Sequence, residues 1–150
     1  MLILDDSSPN ALAVDKVIPT SAPALHDALL AHWPRLAGRV EFVASQLDRI
    51  DLHPGDIVVS SHACGRLTDF VLERATAAAA RVAVLPCCHD FSSADTGSLS
   101  GWLDDALAID VMRARRLADA GYRVWTQVIP AEITPKNRLL IAAPAGLAGA

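Results

Sequence analysis

Two short segments hold most of the residues in this chain that are suited to chemistry. Residues 60–65 (SSHACG) follow the apolar run at 57–59, and residues 86–89 (PCCH) follow the apolar run at 82–85. All three cysteines and two of the five histidines lie in these segments. Short apolar runs are typical of buried strands, so each segment is predicted to follow a strand end. Ligands of open α/β sheets bind outside the carboxyl ends of the strands, which makes these segments the candidate functional site.

A metal site is one hypothesis for the two segments, because thiolate and imidazole are ligands that zinc takes in tetrahedral sites. If the two strand ends are neighbours, the ligands would come from five residues: His62, Cys64, Cys87, Cys88 and His89. Adjacent side chains point to opposite faces of a strand, so Cys87 and Cys88 are not expected to bind one ion together. The zinc hypothesis therefore uses Cys64 and Cys87 with both histidines. Our first interpretation has no metal.

The same residues also suggest catalysis without a metal. In one hypothesis Cys64 or Cys87 is a nucleophile, and His62 or His89 takes its proton. In the other, a histidine acts as a general base on a hydroxyl or amine, which suits its ordinary pKa near neutral pH.

Composition limits the classes of protein to consider. The chain has 150 residues, 52 % of them hydrophobic, which suits a single domain with a sizeable core. Its net charge of −4 gives no overall attraction to nucleic acid or acidic lipid. Three cysteines, two of them adjacent, are a poor disulfide framework, so reduced thiols in a cytoplasmic protein are expected. The first residues lack the basic region of a signal peptide, and no apolar run is long enough for a membrane span.

Apolar and polar residues alternate in a pattern that predicts strands and helices in turn. The expected strands are at 11–15, 40–43, 56–61, 81–85, 122–129 and 138–143. Helices are expected from about 21 to 33, from 66 to 79 and from 103 to 120, with Ser21 or Thr20 capping the first and Gly121 ending the last. The stretch from 56 to 86 is therefore a strand–helix–strand unit of the kind that forms a right-handed crossover.

The spacing of apolar residues also predicts which helix faces are buried. The inner face of the second helix is expected to contain Leu67, Val71, Ala75 and Ala78. The buried stripe of the third is expected to contain Leu103, Leu107, Val111, Ala114 and Leu117.

The last two strands differ from the others, since only turn residues (134–137) fit between them. Two strands without a crossover helix must pair antiparallel. The predicted fold is α/β, a mostly parallel sheet closed by a C-terminal antiparallel hairpin. Residues 1–150 are expected to form one domain, with a frayed tail at 144–150.

This arrangement resembles class I methyltransferases, which have a Rossmann-like sheet of parallel strands with such a hairpin. Three motifs sharpen the resemblance: HACG at 62–65 with Thr68 and Asp69, PCCH at 86–89, and TPKNR at 134–138. They are similar to the methyltransferase-like domain of the TRM13, METTL25 and glutathione S-transferase C-terminal-domain-containing proteins. The similarity extends from about residue 12 to residue 143.

The resemblance implies S-adenosylmethionine as cofactor. Asp15 would bind the ribose hydroxyls, as a strand-end carboxylate does in dinucleotide folds. Gln46 or Asp48 would meet the adenine. Ser60 would lie beside the methionine moiety, and the catalytic residues facing the methyl acceptor would be His62, Ser61 and His89.

One departure from the family concerns the cofactor loop. Methyltransferases of this class have a strand and a glycine-rich loop before the strand that ends in the acid, but only residues 1–10 precede it here, without a glycine. Residues 1–4 are interpreted as the end of the helix after that loop. The chain is therefore expected to be truncated at its N-terminus relative to the family. Either it is a fragment, or cofactor binding is lost, or a homodimer or a partner chain completes the sheet. A non-catalytic interaction domain of the same fold is the alternative function.

RNA is the macromolecular partner that the resemblance suggests. Arg113, Arg115 and Arg116 come late in the third helix, where a solvated helix face that complements the helix dipole accounts for them. As a phosphate-binding patch they would act together with Arg123, Lys136 and Arg138. No membrane partner is expected.

Overall fold

The computed structural model describes residues 9–146, which divide between Asp51 and Leu52 into two compact units. Each unit is described by itself below. The predictions for residues 1–4 and for the end of the frayed tail lie outside the described residues. The expectation of one domain stays a prediction.

The first unit is a strand–helix–strand unit. Strand β1 (Ala11–Asp15) and strand β2 (Val40–Ala44) are joined through helix α1 (Ala22–His32) and pair parallel, with Asp15 opposite Ala44. These elements confirm the predicted ones to within about one residue. Ser21 takes the cap position of α1, but its backbone is helical and its side chain makes no capping hydrogen bond, so the predicted cap is wrong for Ser21. A short 3₁₀ turn, Leu47–Arg49, follows β2.

The second unit contains the remaining elements. In chain order they are β3 (Ile57–Ser61), α2 (Arg66–Ala77), β4 (Arg81–Leu85), α3 (Asp105–Asp119), β5 (Tyr122–Val128) and β6 (Arg138–Pro144). Pro144 belongs to β6, so the tail does not begin there as predicted. Helix α3 starts two residues later than expected because Asp104 caps it, accepting a hydrogen bond from the Leu107 amide at 2.9 Å. Gly121 follows its end with a φ of +82°, as predicted.

The sheet of the second unit has the strand order β3-β4-β6-β5. Strands β3 and β4 pair parallel, and the β5–β6 hairpin is antiparallel as predicted. Strand β6 lies between β4 and β5 and pairs antiparallel with both, so β3, β4 and β5 run in one direction and β6 in the other. In the part of the chain that the structure describes, β1 and β2 form a separate two-stranded sheet. No described helix is both long and apolar enough to cross a lipid bilayer.

The core of the second unit lies between β4 and helices α2 and α3. Val82 and Val84 of β4 are fully buried. Helix α2 buries Thr68, Val71, Leu72 and Ala75, so the inner face differs from the predicted one, and Leu67 is 50 % exposed. The Thr68 hydroxyl donates to the Ala63 carbonyl, which turns this side of the first helical turn inward.

Helix α3 is also rotated relative to the prediction. Its buried residues are Ala108, Ile109, Arg113 and Leu117. Of the predicted stripe, Leu117 is buried, whereas Val111 is 39 % exposed. Arg113 is only 1 % exposed, so the expected solvated position of this arginine is wrong.

Tyr122 joins the start of β5 to the end of α2. Its buried hydroxyl lies 3.2 Å from the Ala75 carbonyl and 3.1 Å from the Ala80 carbonyl, and burial raises the pKa of this phenol. We expect Tyr122→Phe to lower the free energy of unfolding by about 1–2 kcal/mol, because buried carbonyl groups lose their donor. Urea denaturation followed by circular dichroism measures the change. A Tyr122→Phe protein as stable as the parent would contradict this role of the hydroxyl.

Candidate functional site

The two chemistry-bearing segments do follow neighbouring strand ends. Parallel pairing places Ser61, the last residue of β3, opposite Leu85, the last residue of β4. The chain then leaves β3 through His62, whose φ of +63° lies in the left-handed region. A non-glycine residue in that region is uncommon, and such strain concentrates at functional sites. The Gly65 amide donates to the Cys88 carbonyl at 3.0 Å, which ties the two segments together.

All three thiols come together at this edge. The sulfur atoms of Cys64 and Cys87 are 3.2 Å apart, and the Sγ atoms of Cys64, Cys87 and Cys88 all lie within 4.8 Å of one another. Cys87 is buried, while Cys64 and Cys88 are exposed. The cluster is therefore anchored in the core and open to solvent on one side.

The expectation that Cys87 and Cys88 point apart is wrong. That argument requires the two residues to be in a strand, but β4 ends at Leu85 and both cysteines lie in the loop that follows. Outside a strand, the alternation of side chains no longer applies. Both sulfurs consequently lie beside Cys64.

Hydrogen bonding between the thiols makes them unequal acids. The hydrogen bond from the Cys64 thiol and, to a smaller extent, the influence of the His62 ring lower the pKa of Cys87, although burial opposes the shift. The pKa of Cys64 is raised to about 11, because its thiol is hydrogen-bonded to Cys87 and Cys88. Of the Cys64–Cys87 pair, Cys87 therefore ionises first.

His89 does not join the thiols as the zinc hypothesis required. Its side chain is buried, and Nε2 lies 2.8 Å from Oδ1 of Asp110 in helix α3. The ring also stacks on Phe91, with centroids 6.2 Å apart. These contacts hold the ring against Asp110 and Phe91, and the catalytic role of His89 stays a prediction.

Asp110 is the centre of a bonded network that links all three sequence motifs. Besides His89 it accepts hydrogen bonds from Arg113 at 3.1 Å and from Arg138, the last residue of the TPKNR motif, at 2.8 Å. Arg113 in turn donates to both carboxylate oxygens of Asp69, at 3.0 and 2.8 Å, and to the Gly65 carbonyl at 3.2 Å. The network fastens α3 to the start of α2 and to β6.

Sequence reasoning missed Asp110 altogether and misplaced Arg113. One signal was present in the sequence. Asp110 and Arg113 are three residues apart in α3, which puts them on neighbouring positions of one helix face. An exposed helix pair would have the same spacing. The buried pair differs from it through the partners His89 of the PCCH segment and Asp69 of α2, which the spacing does not reveal.

The residues implied to bind the cofactor lie in both units. In the first unit, Asp15 ends β1, and its carbonyl accepts from the Ser45 amide at 2.9 Å just after β2. Gln46 directly precedes the 3₁₀ turn that contains Asp48, so these two residues and Asp15 follow adjacent parallel strand ends. In the second unit, Ser60 is the penultimate residue of β3 and is half-buried.

The arginines suggested as an RNA-binding patch are paired with acids. Arg115 bonds to Asp119 at 3.0 Å, and Arg116 to Asp95 at 3.0 Å. Arg113 is buried, and Arg138 is held by Asp110. Their charges are therefore largely balanced by neighbouring carboxylates.

Solved structures that resemble this chain include that of an O-methyltransferase. No protein-family model matches the chain, and no curated protein matches it. The solved structure is the O-methyltransferase NcsB1 from neocarzinostatin biosynthesis, in complex with S-adenosylmethionine and 2-hydroxy-5-methyl naphthoic acid. The identity is 20 %, the TM-score is 0.46, and the match covers 91 % of this chain and 41 % of that one. The chain thus spans about two fifths of the structure it resembles.

Proposed function

We propose that this chain is a class I methyltransferase-like domain that binds S-adenosylmethionine. The observation that carries the proposal is the parallel β3–α2–β4 unit followed by an antiparallel β5–β6 hairpin. This is the arrangement that the sequence resemblance implies. The bonds that join the HACG…TD, PCCH and TPKNR motifs to one another support their interpretation as one motif set, that of the TRM13/METTL25 group.

The residues at the strand ends fit the chemistry of the cofactor. Asp15 offers an exposed carboxylate that suits two ribose hydroxyls, and Gln46 and Asp48 offer polar atoms for an adenine. When bound, the cofactor supplies an electrophilic methyl group on sulfur. The role of the protein is then to hold an acceptor in line with that methyl group. In this proposal Ser60 and Ser61 line the site, and His62 is the general base.

The methyl acceptor is a further part of the proposal. RNA receives little support from the arginines, because carboxylates balance their charge. Within the described residues, each of the two sheets ends in strands that pair on one side only. A homodimer or a partner chain at these edges, and the alternative role as an interaction domain, stay predictions.

Cofactor binding is tested by calorimetric titration and thermal shift with S-adenosylmethionine and its demethylated product. A ligand that binds only the folded chain raises Tm by mass action, so both compounds are expected to raise it at about millimolar concentration. Asp15→Ala should weaken binding about tenfold or more, because hydrogen bonds to a charged group contribute about 1.5–3 kcal/mol.

The matched control is Asp27→Ala, since Asp27 is an exposed aspartate of the same unit in helix α1. This variant should bind both compounds like the parent. No binding of either compound to the parent chain would refute the proposed function. Equal losses in the two variants would refute the role of Asp15.

A further inference from the structure

We propose that Cys64, Cys87 and Cys88 form a three-thiolate site for a thiophilic metal ion, with zinc as its occupant. The site goes beyond the proposed methyl transfer, in which neither a metal nor these sulfurs take part. Its test therefore does not depend on whether the chain binds S-adenosylmethionine.

The spacing of the sulfur atoms suits zinc. Zinc–sulfur bonds are about 2.3 Å long, so two thiolates on a tetrahedral ion lie about 3.8 Å apart. The three Sγ atoms already lie within 4.8 Å of one another, and those of Cys64 and Cys87 are 3.2 Å apart. Each sulfur needs to shift by about 1 Å or less to reach the geometry of a zinc site.

The backbone holds the ligands before an ion arrives. Two loops supply all three sulfurs, and both loops leave adjacent parallel strands. The hydrogen bond from the Gly65 amide to the Cys88 carbonyl joins them directly beside the cluster. Because Cys64 and Cys88 are exposed, an ion can reach the site from solvent, and the buried Cys87 fixes its depth.

The charges around the cluster also suit a metal thiolate. Binding exchanges three thiol protons for one divalent ion, so the complex carries a single negative charge. Cys64 lies two residues before Arg66, the first residue of α2, and the positive end of a helix dipole stabilises such a charge. His62 comes two residues before Cys64, and its ring helps to lower the pKa of Cys87, so it belongs to the immediate surroundings of the ligand sulfurs. The fourth position faces solvent.

The test titrates the fully reduced, full-length chain with Co²⁺ and then with Zn²⁺. We expect one Co²⁺ per chain, an intense sulfur-to-cobalt charge-transfer absorption, and its loss when Zn²⁺ displaces the cobalt. Zinc affinity is measured by competition with a chromophoric chelator. The visible cobalt bands should have the intensity of a tetrahedral site.

Two variants and a control assign the ligands. Cys88→Ser changes an exposed side chain and should leave the fold intact by circular dichroism, yet remove about one third of the charge-transfer intensity and weaken zinc binding more than tenfold. His62→Ala should keep the full charge-transfer intensity and weaken zinc about tenfold. His53→Ala, in an exposed turn before β3, should bind zinc like the parent.

A disulfide between Cys64 and Cys87 is the competing chemistry, given their separation of 3.2 Å. Thiol counting must therefore show three free thiols per chain before each titration. A fully reduced chain that binds neither ion stoichiometrically would overturn the proposal. So would Co²⁺ binding without a charge-transfer band, or a folded Cys88→Ser variant that keeps the parent's spectrum and affinity.

Discussion

Replacing Arg113 with alanine is expected to lower the free energy of unfolding by about 3–5 kcal/mol. The guanidinium is 1 % exposed and bonds to the carboxylates of Asp69 and Asp110, whose side chains are 23 % and 12 % exposed. Removing the cation leaves two largely buried carboxylates with fewer partners. An uncompensated buried charge is what makes the loss of one member of a buried ion pair strongly destabilising. Urea denaturation followed by circular dichroism measures the loss.

Helix α3 itself supplies the matched control. Arg115 is two residues away and pairs with Asp119, but both side chains are more than 60 % exposed. Arg115→Ala should cost less than about 1 kcal/mol, since exposed ion pairs contribute little. In a double-mutant cycle, Arg113→Ala and Asp69→Ala should be clearly less than additive, because they share one interaction. Equal costs for the two arginines would show that the network does not stabilise the fold.

Replacing Ile109 with alanine is expected to cost about 2–5 kcal/mol, the range for truncating a large buried aliphatic side chain. Ile109 is 2 % exposed, whereas Val111 on the same helix is 39 % exposed. Val111→Ala should therefore cost less than about 1 kcal/mol. The same denaturation measurement compares the two variants.

This pair of variants distinguishes two orientations of one helix. The periodicity of the sequence places Val111 in the buried stripe, and the structure places Ile109 there. A larger loss for Val111→Ala than for Ile109→Ala would support the orientation expected from the sequence. The reverse order supports the orientation in which Arg113 is buried.

Local patterns were sufficient to predict the elements of this fold. The apolar runs at 57–59 and 82–85 predicted β3 and β4, and Gly121 marked the end of α3. The crossover unit was predicted, whereas the adjacency of its two strand ends was only a condition of the metal hypothesis, and the structure meets that condition. The turn residues at 134–137 predicted the hairpin.

Side-chain partners over long sequence distances were not predictable in the same way. Hydrophobic periodicity treats every arginine as exposed, but Arg113 is buried because Asp69, 44 residues earlier, accepts its hydrogen bonds. His89 looked like a ligand or a base because its sequence neighbours are cysteines. Its ring is bonded to Asp110, 21 residues later.

For the cysteine cluster, too, some features follow from the sequence and others only from the tertiary structure. The sequence by itself determined that the three thiols follow two strand ends, because strand ends are set by local apolar runs and turns. Only the tertiary structure decided that Cys87 and Cys88 face the same sulfur, Cys64, and that the neighbouring His89 does not. The physical reason is that side-chain direction follows a fixed rule within a strand. In a loop it is set by contacts with distant elements, here the Gly65 amide and helix α3.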